Sequence, residues 1–453
     1  MTHQLGTASR HDGAWEELIP QHVETVSACT ADYFGRLIGK RLSRQEFVSS
    51  AANGIATPNF HLATDAANTI IKGLKVSGAH TGFPNGYLVP SPQRLVSVPW
   101  DPSTMLALCD VVDSAFQPVA EAPREVLRHQ VNQLAERGLI AQVATELEFY
   151  AFRESFESAH SKKFIGLVPF FHRQGDHDVL VTDVYDEFLR DVRQAMTSMA
   201  VTPLAVLGEG GLGQVEMNFP HDEPLLVADR HVLFKHAVRA LAQRHGHSVT
   251  FMAKYDVAEP GSSCHVHLSL WQHDGTSASE SGALRGPLRD FLAGLLEFLP
   301  DFQLAFTPNP NSFSRLAPGS WAPVTRTWGF DNRTVMVRVL GDGVTRRLEF
   351  RLPGADANPY IALAGILAAG IAGLDDKPDL PEPSRGDAYS QNDRATVHRK
   401  LGDAIRAFDA SARAADAFGK DVHQHLVLRA NAGDDARTAA VTDWDRSQGF
   451  ESF

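Results

Sequence analysis

Cysteine is nearly missing from this sequence. Cys29, Cys109 and Cys264 are the only three in 453 residues, and none stands in a C-x-x-C spacing. That excludes a disulfide framework and a thiolate zinc site, and it fits a reducing cytoplasm. Long apolar runs are lacking as well: the longest, Ile361 to Leu374, falls short of the roughly 20 residues a bilayer span needs and reads as a small-residue core helix. The first twenty residues are polar, without the apolar centre of a signal peptide, and are read as a flexible tail. Basic tracts are missing too. With 42 Lys and Arg against 54 Asp and Glu, the formal net charge is -12, so neither nucleic acid nor a membrane surface is expected as a partner. No internal repeat is visible, and 43% hydrophobic with 21% charged residues describes a globular chain able to bury a large core.

Against that acidic background, seven arginines fall between Arg315 and Arg351, which calls for a strongly anionic ligand. Within this stretch Arg347-Leu-Glu-Phe-Arg351 alternates in polarity. Successive strand side chains point to opposite faces, so Arg347, Glu349 and Arg351 share one face while Leu348 and Phe350 pack behind it. Three other segments repeat the design: Glu146 and Glu148 around Leu147; Gln214, Glu216 and Asn218; and His265, His267 and Ser269. If these four strands share a sheet, its polar side holds Glu146, Glu148, Glu216, His265 and Glu349. Glu209 joins them from the glycine-rich turn Gly208 to Gly213. Carboxylates gathered in one cavity raise each other's pKa unless cations sit between them. Oxygen ligands with one imidazole and no thiolate favour Mg²⁺ or Mn²⁺.

In order along the chain stand E-x-E at Glu146, G-Q-x-E at Gly213, H-x-H at His265, N-x-x-x-R-L-x-P-G at Asn311, N-R-T at Asn332, R-x-E-x-R at Arg347 and A-N-P-Y at Ala357. Each is weak alone; seven in this order resemble the glutamine synthetase superfamily. The resemblance implies an α+β fold, a small N-terminal β-grasp domain followed by a catalytic domain built on a curved antiparallel sheet. The expected division is a tail over residues 1–20, the β-grasp domain over 21–117 and the catalytic domain over 118–453. Helices are expected over Glu125 to Arg137, Val184 to Met199, and Pro224 to His245, with another near Leu401.

Residue by residue, the resemblance implies one metal on Glu146, His265 and Glu349 and another on Glu148, Glu209 and Glu216, two or three ions per active site, with ATP as co-substrate. His267, Arg338 and Arg347 would meet the ATP phosphates, with Ser269 near the adenosine. Arg315 and Arg351 would grip glutamate's carboxylates, since a guanidinium holds a carboxylate bidentately. Arg333, Glu209 and Asp32 are the catalytic positions, Asp32 acting across a subunit interface of a dodecamer of two hexameric rings. The loop Asp32 to Lys40 resembles the family's D-x-x-G-x-x-R-G-K, with Ile38 where arginine is usual.

The pattern breaks at the second substrate. Where a glutamine synthetase carries a glutamate that closes over ammonium, Gly319-Ser-Trp-Ala-Pro323 puts Trp321. Asp176 and Asp178 occupy the approximate place of a tyrosine that lines the ammonium pocket. The subgroup most resembled is therefore the γ-glutamyl-amine ligases, including γ-glutamylpolyamine synthetases: ATP-dependent joining of glutamate's γ-carboxylate to an organic amine such as a polyamine or ethanolamine. Asp176 and Asp178 could bind a polyamine's distal ammonium, or could form a solvated turn. An ordinary glutamine synthetase is the alternative, and a non-catalytic glutamate or nucleotide sensor the second; the six metal positions, all present, speak against the latter.

Overall fold

A computed structural model describes residues 14–391 and 393–452. The chain first forms five strands, β1 (Thr25–Ala31), β2 (Leu37–Ser43), β3 (Ile55–Pro58), β4 (Asn85–Ser97) and β5 (Thr104–Val112), in the order β2-β1-β5-β4-β3. β1 and β5 run parallel at the centre, and the helix Arg44–Ala51, capped by Ser43, covers one face with Phe47 fully buried. Residues 1–13 of the expected tail lie outside the described residues; the remainder is corrected. Ala14–Leu18 is a helix, and Trp15 and Ile19, 3% and 1% exposed, enter the core of this sheet, Trp15 meeting Phe47 edge-on at 5.5 Å. Two apolar residues one helical turn apart suffice for docking even where the average composition is polar.

The second sheet has eight strands: β6 (Leu139–Phe152), β7 (Ala205–Gly208), β8 (Gln214–Asn218), β9 (Ser248–Thr250), β10 (Cys264–Gln272), β11 (Trp328–Phe330), β12 (Val337–Leu340) and β13 (Arg347–Phe350). Its order is β11-β12-β13-β10-β6-β8-β7, with β9 paired to β6. The expected antiparallel sheet holds except at its edge, where β11 and β12 are parallel. All four strands with alternating polarity are adjacent here. Their apolar faces, including Leu147, Phe149, Val215, Met217, Val266, Leu268, Leu348 and Phe350, are buried against the helices. Each such side chain contributes about 1.5–3 kcal/mol relative to exposure, so the polar faces have no choice but to look the other way.

The helix Pro359–Asp376, capped by Asn358, is the apolar run noted above; it is buried along most of its length. Its Gly373 meets Gly294 of the helix Gly286–Glu297 so closely that a β-carbon at either would clash. The expected helices over Glu125 and Pro224 are found as Pro123–Ala135 and Pro224–Arg244, and a third runs from Leu401 to Ala410. The one expected over Val184 to Met199 is found as Asp186–Ser198; only Val184 departs, ending a separate short helix, Val179–Val184, where it is exposed.

Candidate active site

The polar faces of β6, β8, β10 and β13 line one cavity of about 690 Å³. Its walls carry Glu146, Glu148, Asp176, Glu209, Glu216, Glu349, His265, Trp321 and the arginines Arg333, Arg338 and Arg351. Strand register decides which of these meet. Glu146 stands opposite His265, Glu148 opposite Glu216, and Glu349 opposite both His267 and Arg338.

Two groups result, each with ligand atoms within 4.8 Å of one another. Glu148, Glu209 and Glu216 form the expected one. The other is Glu146, His267 and Glu349, so the imidazole in it is that of His267 where the sequence pointed to His265. Both rings lie on the same strand face: His267 Nε2 is 2.8 Å from Glu146, and His265 Nδ1 is 3.3 Å from Glu146 and 3.6 Å from Glu349.

The groups differ in charge balance. Burial opposes ionisation of Glu146, but the hydrogen bonds from His265 and His267 outweigh it and hold its carboxyl well below the usual range. Glu349 behaves likewise, with burial overcome by His265 and Arg351; it pairs with Arg351 and, at 2.9 Å, with Arg338. In the other group, burial and then the Glu148 charge push both Glu209 and Glu216 up. No cation of the protein is paired with these two among the described residues. Three carboxylates converging without a counter-charge are a donor set that a divalent cation fits.

Glu148 is held in place by residues the sequence did not single out for this task. Gln214 donates to it at 2.8 Å, the Ser263 amide donates at 2.8 Å, and the Ser263 hydroxyl donates as well. Gln214 in turn accepts from the Gly211 amide and the Tyr150 hydroxyl. Gly211 has to be glycine because a β-carbon there would collide with that hydroxyl, and this tight turn delivers Glu209 to the cavity.

Other expected positions divide. Arg333 is exposed and reaches the cavity, and Arg351 is buried with its Nε unpartnered. His267 and Arg347 meet at 3.2 Å outside the cavity wall, and the Ser269 hydroxyl accepts from Trp271. Arg315 is 4% exposed, its guanidinium donating to the carbonyls of Leu352 and Arg351, so it braces Arg351 from behind instead of presenting to the cavity. Asp32, expected to act in a neighbouring subunit, is not among the residues lining this chain's own cavity. Its side chain is 3% exposed and its oxygens accept from the amides of Phe34 and Arg36 and from the Arg36 guanidinium. Nor do Asp176 and Asp178 act together. Asp176 lines the cavity beside Glu209, while Asp178 caps the helix Val179–Val184 and pairs with Arg173 at 2.6 Å. Trp321 sits at the cavity and is 64% exposed as a residue.

The sequence profile described as the glutamine synthetase catalytic domain matches residues 120–448. This chain belongs to the glutamine synthetase family. The matched span contains every cavity residue above; enzymes of this family use ATP and divalent metals, and the acidic groups here could hold a metal ion. Among glutamine synthetase relatives, the gamma-glutamylethanolamide synthetase of Streptomyces coelicolor is 40% identical over 431 residues, covering 95% of this chain and 93% of that protein. A glutamate–isopropylamine ligase of a Pseudomonas species is 32% identical over 380 residues, covering 82% and 83%. Of solved structures, the ADP complex of GmaS matches with a TM-score of 0.85 at 26% identity, over 97% of this chain and 100% of that one.

Proposed function

We propose that this enzyme joins the γ-carboxylate of glutamate to a short primary amine, using ATP and passing through a γ-glutamyl phosphate. The observation that carries the reading is the indole of Trp321 on the wall of the cavity that holds both carboxylate groups. An indole offers an apolar wall or π face to an alkyl amine and no carboxylate to bind and deprotonate ammonium. One relative above is named for an ethanolamide and the other for isopropylamine, and neither ethanolamine nor isopropylamine has a second cationic group. A polyamine is disfavoured for the same reason: Asp178 is spent on a helix cap and an arginine, leaving Asp176 alone at the cavity.

Mg²⁺ or Mn²⁺ suits the donor set, with Glu148, Glu209 and Glu216 holding one ion and Glu146, Glu349 and a histidine of β10 a second. Bound there, they would supply charge neutralisation at the phosphates. Arg351, its Nε unpartnered, is assigned to glutamate; Arg333 to the transferring phosphoryl group; Arg338, Arg347 and His267 to the ATP phosphates; and Glu209 to the proton leaving the amine. A dodecamer of two hexameric rings in the cytoplasm is our proposal for assembly and location, supported by the family resemblance and by three free, buried cysteines. Asp32 is assigned to holding its own loop.

The test is phosphate release and product mass with ATP, Mg²⁺ and glutamate against ethanolamine, isopropylamine, putrescine and ammonium. Efficient glutamine formation without any organic γ-glutamyl amide would return the chain to the ordinary glutamine synthetases.

A further inference from the structure

Trp321 has a left-handed backbone, φ +63°, which costs a residue with a β-carbon roughly 1–2 kcal/mol. Its indole is mostly exposed, so burial of the ring does not hold it there. Neighbouring residues must. On one side the Ser320 hydroxyl donates to the carbonyls of Arg315 at 3.0 Å and Ala317 at 2.6 Å. On the other, the carbonyl of Ala322 accepts from the Tyr389 hydroxyl at 3.0 Å, a contact spanning 67 residues of chain.

Tyr389 is itself anchored on the short turn Ala388–Ser390, half-buried. The Ala388 amide donates to the Thr334 hydroxyl at 2.9 Å, and the Gly386 carbonyl accepts from Asn332 at 2.8 Å. Asn332 and Thr334 flank Arg333. The segment from Gly386 to Tyr389 therefore ties the loop of the phosphoryl arginine to the loop of the indole. Burial raises the Tyr389 pKa against the opposing pull of Arg351 and Arg315, so the hydroxyl keeps its proton and stays a donor throughout the working range.

We propose that Tyr389 is a positioning residue for the amine pocket: its hydroxyl holds the Trp321 loop against the cavity and so sets the preference for an organic amine over ammonium and water. This rests on the function proposed above. Tyr389→Phe removes the hydroxyl and keeps the ring. Expected is a rise of about tenfold in KM for the organic amine, matching about 1.4 kcal/mol, with KM for glutamate and ATP within twofold. Phosphate release without amine should increase as water reaches the acyl phosphate, and the ammonium-to-ethanolamine ratio should rise. In a Trp321→Ala background Tyr389→Phe should add little, because the two act on one loop. Unchanged amine KM and unchanged amine-free phosphate release would overturn the proposal, as would equal losses for all three substrates or full additivity with Trp321→Ala. A wild type that turns over ammonium alone would instead defeat the functional reading, and the amine-free phosphate release of Tyr389→Phe would still judge the tether.

Discussion

The two carboxylate groups of the cavity lie on neighbouring strands of one sheet yet solve opposite electrostatic problems. Glu146 and Glu349 are paired inside the protein with His265, His267, Arg338 and Arg351, and both are held as anions. Glu148, Glu209 and Glu216 have neutral partners, Gln214, Ser263 and Asn218, and the latter two glutamates resist ionisation. The first group has its charge balanced by the fold; the second is left with a repulsion that a cation from outside would relieve. A metal entering the second group removes a repulsion, whereas one entering the first has to share Glu349 with two arginines. The second group is therefore where metal binding and folding stability are most strongly linked.

The sharpest way to break this contrast is Glu349→Ala. Turnover should fall by about three orders of magnitude or more, and stability by about 3 kcal/mol, because Arg351 is left buried without its partner; phosphate release and denaturant unfolding measure the two. Near-normal turnover would refute the assignment of Glu349. Glu216→Gln should also reduce turnover by at least about a hundredfold, but with the stability effect reversed. The metal-free protein at pH 8 should melt about 2 °C higher, since folding no longer has to protonate a buried carboxyl that is ionised in the unfolded chain. A lower melting temperature would mean that Glu216 is balanced by a group the geometry does not show.

The same logic gives a pH dependence. Carboxyls raised in the folded state bind protons that the unfolded chain has released, so their stabilising share is complete below the ordinary glutamate value of about 4.3 and is lost as pH rises through the raised values. Metal-free protein should lose stability along that course, and saturating Mg²⁺ should flatten it; parallel melting curves with Mg²⁺ and with EDTA would contradict the linkage. Arg351→Lys should raise KM for glutamate about tenfold through loss of the planar grip, with KM for ATP little changed. The smallest effect concerns the amine. Trp321→Glu should shift the ammonium-to-ethanolamine ratio of kcat/KM several-fold toward ammonium, about 1 kcal/mol, and a ratio that moves the other way would remove the indole from the amine pocket.

Much of this was legible in the chain itself. Alternation at Glu146-Leu-Glu148, Gln214 to Asn218, His265 to Ser269 and Arg347 to Arg351 determined that four strands each had one polar face, because a strand's side chains can only alternate and the apolar set has to be buried. The order of the seven motifs determined the family. What alternation leaves open is who stands opposite whom: register across β10 and β13 put His267 against Glu349, and no pattern within one strand encodes that. Short polar residues were the other blind spot. Asp178 carries the same carboxyl as Glu209, but it sits within reach of a backbone amide and an arginine in its own loop, and the local bonds win. Gln214, Ser263 and Tyr389 acquire their tasks only when distant segments close around Glu148 and Ala322. Sequence determined the chemistry on each face; the tertiary structure decided which groups are near enough to share a charge, because that depends on contacts between segments more than 100 residues apart.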